Sequence, residues 1–130
     1  MNIIYEDKRI IIVDKPAGLL SHHAKGRQMD DLLSELGHPG YCLVSRLDYQ
    51  TSGLLLVAKD NAAASVLNRL VSDGAVQKVY MAVLSGYLPK SADTLHSWLL
   101  KDEKSAVVRI TDTPSIGTMP IETKYRVLRE

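Results

Sequence analysis

The sequence predicts an α+β fold built on a mainly antiparallel, mixed sheet with a few flanking helices. Three observations carry that expectation. Short apolar runs of strand length recur along the chain, several of them in consecutive pairs joined by brief turns. Only two stretches show the i, i+3, i+4 spacing of an amphipathic helix. One unbroken run, Leu54 to Ala58, has the all-apolar character of a central strand buried on both faces.

Taken in order, Asn2 to Tyr5 and Ile10 to Val13 read as two strands around the charged turn Glu6 to Arg9, a hairpin-like start. Asp14-Lys15-Pro16-Ala17-Gly18 then breaks the strand, with Pro and Gly as punctuation. Ser21 to Arg27 is a polar loop. Its adjacent His22 and His23 point to opposite sides of an extended chain, and no cysteine or carboxylate cluster flanks them, so no metal site is expected.

Met29, Leu32, Leu33 and Leu36 form a helix face, with Asp30 and Asp31 in its first turn and Gly37 closing it. After the turn His38-Pro39-Gly40, Tyr41 to Val44 is a strand. Asp60 is a good N-cap for a second helix carrying Ala63, Ala64, Leu67, Leu70 and Val71 and ending at Gly74, with Arg69 on its solvent side. Val76 to Gly86 reads as a strand whose alternation puts Lys78, Tyr80, Ala82 and Leu84 on one face. Leu95 to Leu100 and Ala106 to Ile110 form a hairpin around Lys101 to Lys104, with Trp98 as packing. A Thr/Pro/Gly-rich connection, Thr111 to Pro120, leads to a last alternating strand, Ile121 to Leu128.

Length and composition bound the rest. The 130 residues make one domain, 1–130, large enough for a real core. Sixteen Lys plus Arg against 15 Asp plus Glu leave a net charge of +1, which neither supports a nucleic-acid binder nor excludes a local basic groove. Cys42 is the only cysteine, so no internal disulfide forms, and its apolar setting supplies nothing to activate a thiol. Glu6, Asp7, Lys8 and Arg9 follow Met1 too closely for a secretory signal, and no apolar run reaches membrane-span length. A cytoplasmic location is the default expectation.

The chemistry-bearing stretch is Ser45-Arg46-Leu47-Asp48-Tyr49-Gln50-Thr51-Ser52-Gly53, which runs directly into the Leu54 strand. A carboxylate and a guanidinium at the mouth of a buried strand sit where a scaffold can hold them and a substrate can reach them. Read without context, Arg46 and Asp48 are equally a structural ion pair at a strand end.

The wording of the whole stretch resembles the signature of the RluA-type pseudouridine synthases, H-R-L-D-x-x-T-S-G-L-L-L followed by a small residue and Lys. Arg46, Leu47, Asp48, Thr51, Ser52, Gly53, Leu54, Leu55, Leu56, Ala58 and Lys59 fit it in order, with Ser45 where the family usually has His. Lys15, Pro16 and Gly18 fit the family's Lys-Pro-x-Gly turn. Lys78, Tyr80, Ala82 and Gly86 fit its K-x-Y-x-A-x-V-x-G motif, and residues 121–128 resemble its A-x-T-x-Y-x-V-L stretch. No stretch resembles the family's following motif, T-G-R-T-H-Q-I-R. The chain is therefore expected to be the N-terminal part of a catalytic domain, incomplete at the C-terminus, with an open sheet edge through which it could self-associate.

The resemblance implies isomerisation of uridine to pseudouridine in structured RNA, ribosomal RNA ahead of transfer RNA, with no metal or redox cofactor and no obligate protein partner. It implies catalytic roles for Asp48 and Tyr80, Asp48 as the key carboxylate and Tyr80 as the ring lying against a flipped base. Arg46 is implied to fill the space that base vacates, and Thr51, Lys15, Lys59 and Lys78 to contact the RNA. Two readings stand beside it. One is a non-catalytic RNA-binding module or an inactive fragment, favoured by Ser45 and the missing motif. The other is a carboxylate-dependent hydrolase, which lacks the second carboxylate such chemistry needs.

Overall fold

The computed structural model describes residues 1–22, 31–102 and 107–129. His23 to Arg27, Met29 and Asp30, to which loop and helix expectations were attached, lie outside the described residues, as does most of the turn after Lys101. The backbone divides into two compact units, Met1–Val79 and Tyr80–Glu130.

In the first unit, β1 (Asn2–Glu6) and β2 (Ile10–Lys15) form the expected antiparallel hairpin. Its turn is tied by Asp7, whose Oδ1 accepts from the backbone N–H groups of Arg9 (2.7 Å) and Ile10 (2.8 Å). Helix α1 (Leu32–Leu36) is capped by the Asp31 carboxylate, which accepts from Ser34 N–H, and closed by Gly37 in the left-handed region at φ 68°. Then come β3 (Cys42–Leu43), β4 (Gly53–Ala58) and α2 (Asn61–Ser72). The sheet order is β1-β2-β4-β3, with every neighbour antiparallel.

Register sorts the side chains onto two faces. Ile11 opposes Val57, Val13 opposes Leu55 and Lys15 opposes Gly53. Ile11, Val13, Leu55 and Val57 bury against Leu32 of α1 and Leu19. On the opposite face Ala58 meets Ala63 and Ala64 of α2, with Cys42, Val44 and Leu67 around them. The small alanines let α2 approach closely, but the helix reaches only that corner. The expectation that Leu54 to Ala58 is buried on both faces is therefore corrected: Leu54 is 63% exposed, and only the Ala58 end of β4 is covered on both sides.

The second unit is a three-stranded antiparallel sheet in the order β6-β5-β7, formed by β5 (Ala92–Asp102), β6 (Val107–Thr111) and β7 (Thr118–Arg126). Strand β7 starts earlier than the sequence suggests and takes in Pro120, opposite Trp98. Pro is tolerated there because β7 is an edge strand of this sheet.

Residues 76–86, expected as a strand, are not one. Among the described residues no strand pairs with them, and without a ladder partner alternation alone does not make a strand. Val79, Met81 and Val83 are 90%, 85% and 100% exposed. The mixed α+β class with antiparallel sheets and few helices stands as predicted.

Candidate active site

The residues of the signature lie on the connection between β3 and β4. Val44 N–H donates to Leu56 O (3.2 Å), the last bond before the chain leaves the sheet. It returns through a turn in which Thr51 N–H donates to Asp48 O (3.0 Å), with Asp at a turn position this residue type favours. Arg46 and Asp48 are exposed, and Leu47 between them is half-buried against the Ile11/Val13/Leu55 core. Anchoring Leu47 inward turns its two charged neighbours outward.

Segment 15–21 grips this loop from behind. Lys15 is completely enclosed. Its Nζ donates to the carbonyls of Leu19 (2.8 Å) and Pro16 (2.9 Å) and makes a long contact with Tyr49 O (3.5 Å). Gly18, at φ 84°, turns the chain so that its N–H donates to Tyr49 O (2.8 Å), a conformation a side chain would strain. The Ser21 hydroxyl donates to Leu47 O (2.6 Å) and accepts from Leu47 N–H (3.1 Å). Burial pushes the Lys15 ammonium below the usual lysine value, and the Asp48 carboxylate partly offsets that shift. A buried cation thus stands behind Asp48, whose own carboxylate has no hydrogen-bond partner among the described residues.

Arg46 lines a hollow of about 400 Å3 together with His22, Ser45, Leu33, Leu43 and Val44. Ser45, the departure from the family signature, is therefore part of the groove wall. Its lining joins His22, Ser45 and Arg46 to the aliphatic side chains of Leu33, Leu43 and Val44.

The structure separates the other expected residues. Lys15, expected as a phosphate contact, is corrected to an internal residue, because its donors are committed to carbonyls and no part of it reaches solvent. Lys59 follows the far end of β4, roughly 20 Å from Gly53 at the antiparallel rise per residue. It pairs there with Glu6 (2.5 Å), which raises its pKa. Lys78 and Tyr80 lie on the unpaired segment after α2, Tyr80 being 66% exposed, so the shared strand face expected for them is not formed. Ser21 escaped the sequence reading, and Gly18 entered it only as part of the Lys-Pro-x-Gly turn. A serine after two leucines carries no signal of burial, and only the fold brings it to Leu47.

Scaffold and site thus define an antiparallel α+β protein that presents a carboxylate and a guanidinium from a braced loop beside a groove. Residues 9–130 match the family described as RNA pseudouridylate synthase, and the chain belongs to that family. The resemblance drawn from residues 45–59 is borne out. The chain is similar to ribosomal large subunit pseudouridine synthase D of Neisseria meningitidis, at 34% identity over 96% of this chain and 36% of that protein. It is similar also to ribosomal large subunit pseudouridine synthase C of Vibrio cholerae, at 33% identity over 98% of this chain and 41% of that protein. Among solved structures it resembles human RNA Pseudouridylate Synthase Domain Containing 1, with a TM-score of 0.71 and 26% identity, covering 94% of this chain and 49% of that one. The chain therefore spans less than half the length of each of these relatives.

Proposed function

We propose that this chain carries the catalytic aspartate of an enzyme that converts uridine to pseudouridine in ribosomal RNA. The observation that supports the reading most is the placement of Asp48: exposed, next to Arg46, on a loop braced by Lys15, Gly18 and Ser21. The named relatives act on the large ribosomal subunit, which favours ribosomal over transfer RNA.

The reaction breaks the C1′–N1 bond, turns the base and forms a C1′–C5 bond. N1 gains a proton and the C5 hydrogen leaves as one, so nothing is oxidised or reduced. The chemistry requires an ionised carboxylate at the ribose–base junction and a base taken out of its stack. Asp48 fills the first role. Arg46 occupies the space left by the base, which helps offset an unstacking cost of about a few kcal/mol. Thr51 holds the Asp48 turn, and Lys78 is a contact to the RNA backbone; Lys59, paired with Glu6 at the other end of β4, is left out of that contact. Tyr80 lies against the flipped base in this reading, its role resting on the family motif alone. Self-association runs through the exposed outer edge of β1, and sedimentation at rising concentration tests it.

Release of tritium from ribosomal RNA labelled at uridine C5 tests the activity, measured for this chain alone and within any longer polypeptide its gene encodes. Asp48→Asn is expected to abolish release and leave RNA binding largely intact. A second reading, an RNA-binding module without chemistry, draws on Ser45 in the groove wall where relatives of this type carry His. RNA binding with no tritium release from either form replaces the enzyme by the module.

A further inference from the structure

We infer that Ser21 is a positioning residue for Asp48, acting through the backbone of Leu47; the inference rests on the reading of Asp48 as the reacting carboxylate. Ser21 is 4% exposed, and its single hydroxyl is used in both directions on one residue. Leu47 N–H belongs to the peptide plane shared with Arg46, and Leu47 O to the plane shared with Asp48. Holding both fixes the rotation of the two planes on either side of Leu47. That rotation sets the direction in which Arg46 and Asp48 leave the backbone.

The brace matters because no hydrogen bond among the described residues holds the carboxylate itself. Lys15 and Gly18 fix the carbonyl of Tyr49, one residue beyond Asp48, and the turn bond from Thr51 fixes the carbonyl of Asp48. Those contacts anchor the loop after its reactive residue. Among the described residues, Ser21 alone supplies a hydrogen bond to the loop between Val44 and Asp48, across 26 residues of chain. Without the hydroxyl, Leu47 keeps its apolar anchor in the core but its peptide planes are free to rock, and a carboxylate displaced by about 1 Å loses much of its effectiveness.

Ser21→Ala in the full chain tests the inference. The expected result is a fall in kcat of roughly ten- to a hundredfold, with KM for ribosomal RNA near wild type and full folding at the assay temperature. Ser21→Thr, which keeps the hydroxyl, is expected to recover turnover. Amide hydrogen exchange supplies a readout independent of activity: Leu47 should exchange faster in Ser21→Ala while Val13 and Leu55 stay protected. Wild-type kcat in Ser21→Ala overturns the inference, as does an equal loss of protection at Leu47, Val13 and Leu55, which marks simple destabilisation. If the wild-type protein turns over no RNA, the enzymatic reading fails separately. Unchanged Leu47 exchange in Ser21→Ala then rejects the brace, and selective acceleration retains it as the element that fixes Asp48.

Discussion

Gly53 of β4 stands opposite Lys15 of β2, and this register position decides where the loop carrying Arg46 and Asp48 lies. A strand beginning at Gly53 receives the loop from the Lys15 end of the sheet, so Asp48 returns beside a buried ammonium. The lack of a side chain at Gly53 leaves that end of β4 open, and Leu47 is the nearest side chain to its missing Cβ, at 3.9 Å. Slipping β4 by one residue against β2 would turn the Leu55 and Val57 row away from the face shared by Ile11, Val13 and Lys15.

Lys15→Met is expected to destabilise the protein by about 1–3 kcal/mol in urea unfolding, because carbonyls of Pro16 and Leu19 lose an enclosed donor. The pH dependence has a definite sign. The folded pKa lies below the unfolded value of 10.5, so between the two the unfolded chain binds more protons and stability rises with pH. Wild type should therefore gain stability relative to Lys15→Met as the pH climbs toward 10.5, read from urea midpoints at neutral and alkaline pH.

Leu55→Ala and Leu54→Ala separate the two faces of β4. Leu55 is 1% exposed and its truncation leaves a cavity, for which about 2–5 kcal/mol is expected. Leu54 is 63% exposed, and its truncation should stay within roughly 0.5 kcal/mol. Equal costs would show that something covers the Leu54 face in solution, a result that denaturation curves of the two variants decide.

Asp60 links α2 to the acid limb of the stability curve. Its carboxylate accepts from Ala63 N–H at 2.7 Å and pairs with Arg9, which together hold its pKa below 3.8. A depressed carboxylate contributes stability above the unfolded pKa and loses it as the pH falls through the folded value. Asp60→Ala should lower the melting temperature at pH 7, and the gap to wild type should close as the pH drops below about 3.8.

Salt titration of RNA binding distinguishes Arg46 from Lys59. Arg46 is exposed on the groove, whereas Lys59 is neutralised by Glu6 at the other end of the strand. Arg46→Ala should reduce the slope of log affinity against log salt by about 1. Lys59→Ala should leave that slope unchanged.

Local pattern located most of the first unit. The caps at Gly37 and Asp60, the β1–β2 hairpin and β4 all follow from residues within a few positions of one another, where short-range sterics and hydrogen bonding decide, whereas Asp31, expected in the first turn of α1, is its N-cap. Residues 76–86 alternate just as well and still form no strand, since a ladder needs a partner that no local pattern can supply. The same limit applies to Lys15. The family resemblance implied a contact to RNA for it, and only the fold shows it enclosed against carbonyls drawn from residues 16, 19 and 49.

The sequence by itself determined the family signature, the place of Arg46 and Asp48 within it, and the α+β class. Those are properties of residue type and spacing along one chain. Tertiary structure alone decided what stands behind Asp48, because Lys15, Gly18 and Ser21 reach Leu47 and Tyr49 across 26 to 34 residues. Contacts at that separation exist only once β2 and β4 have paired, since their geometry is set by strand register and not by any local preference of the residues that make them.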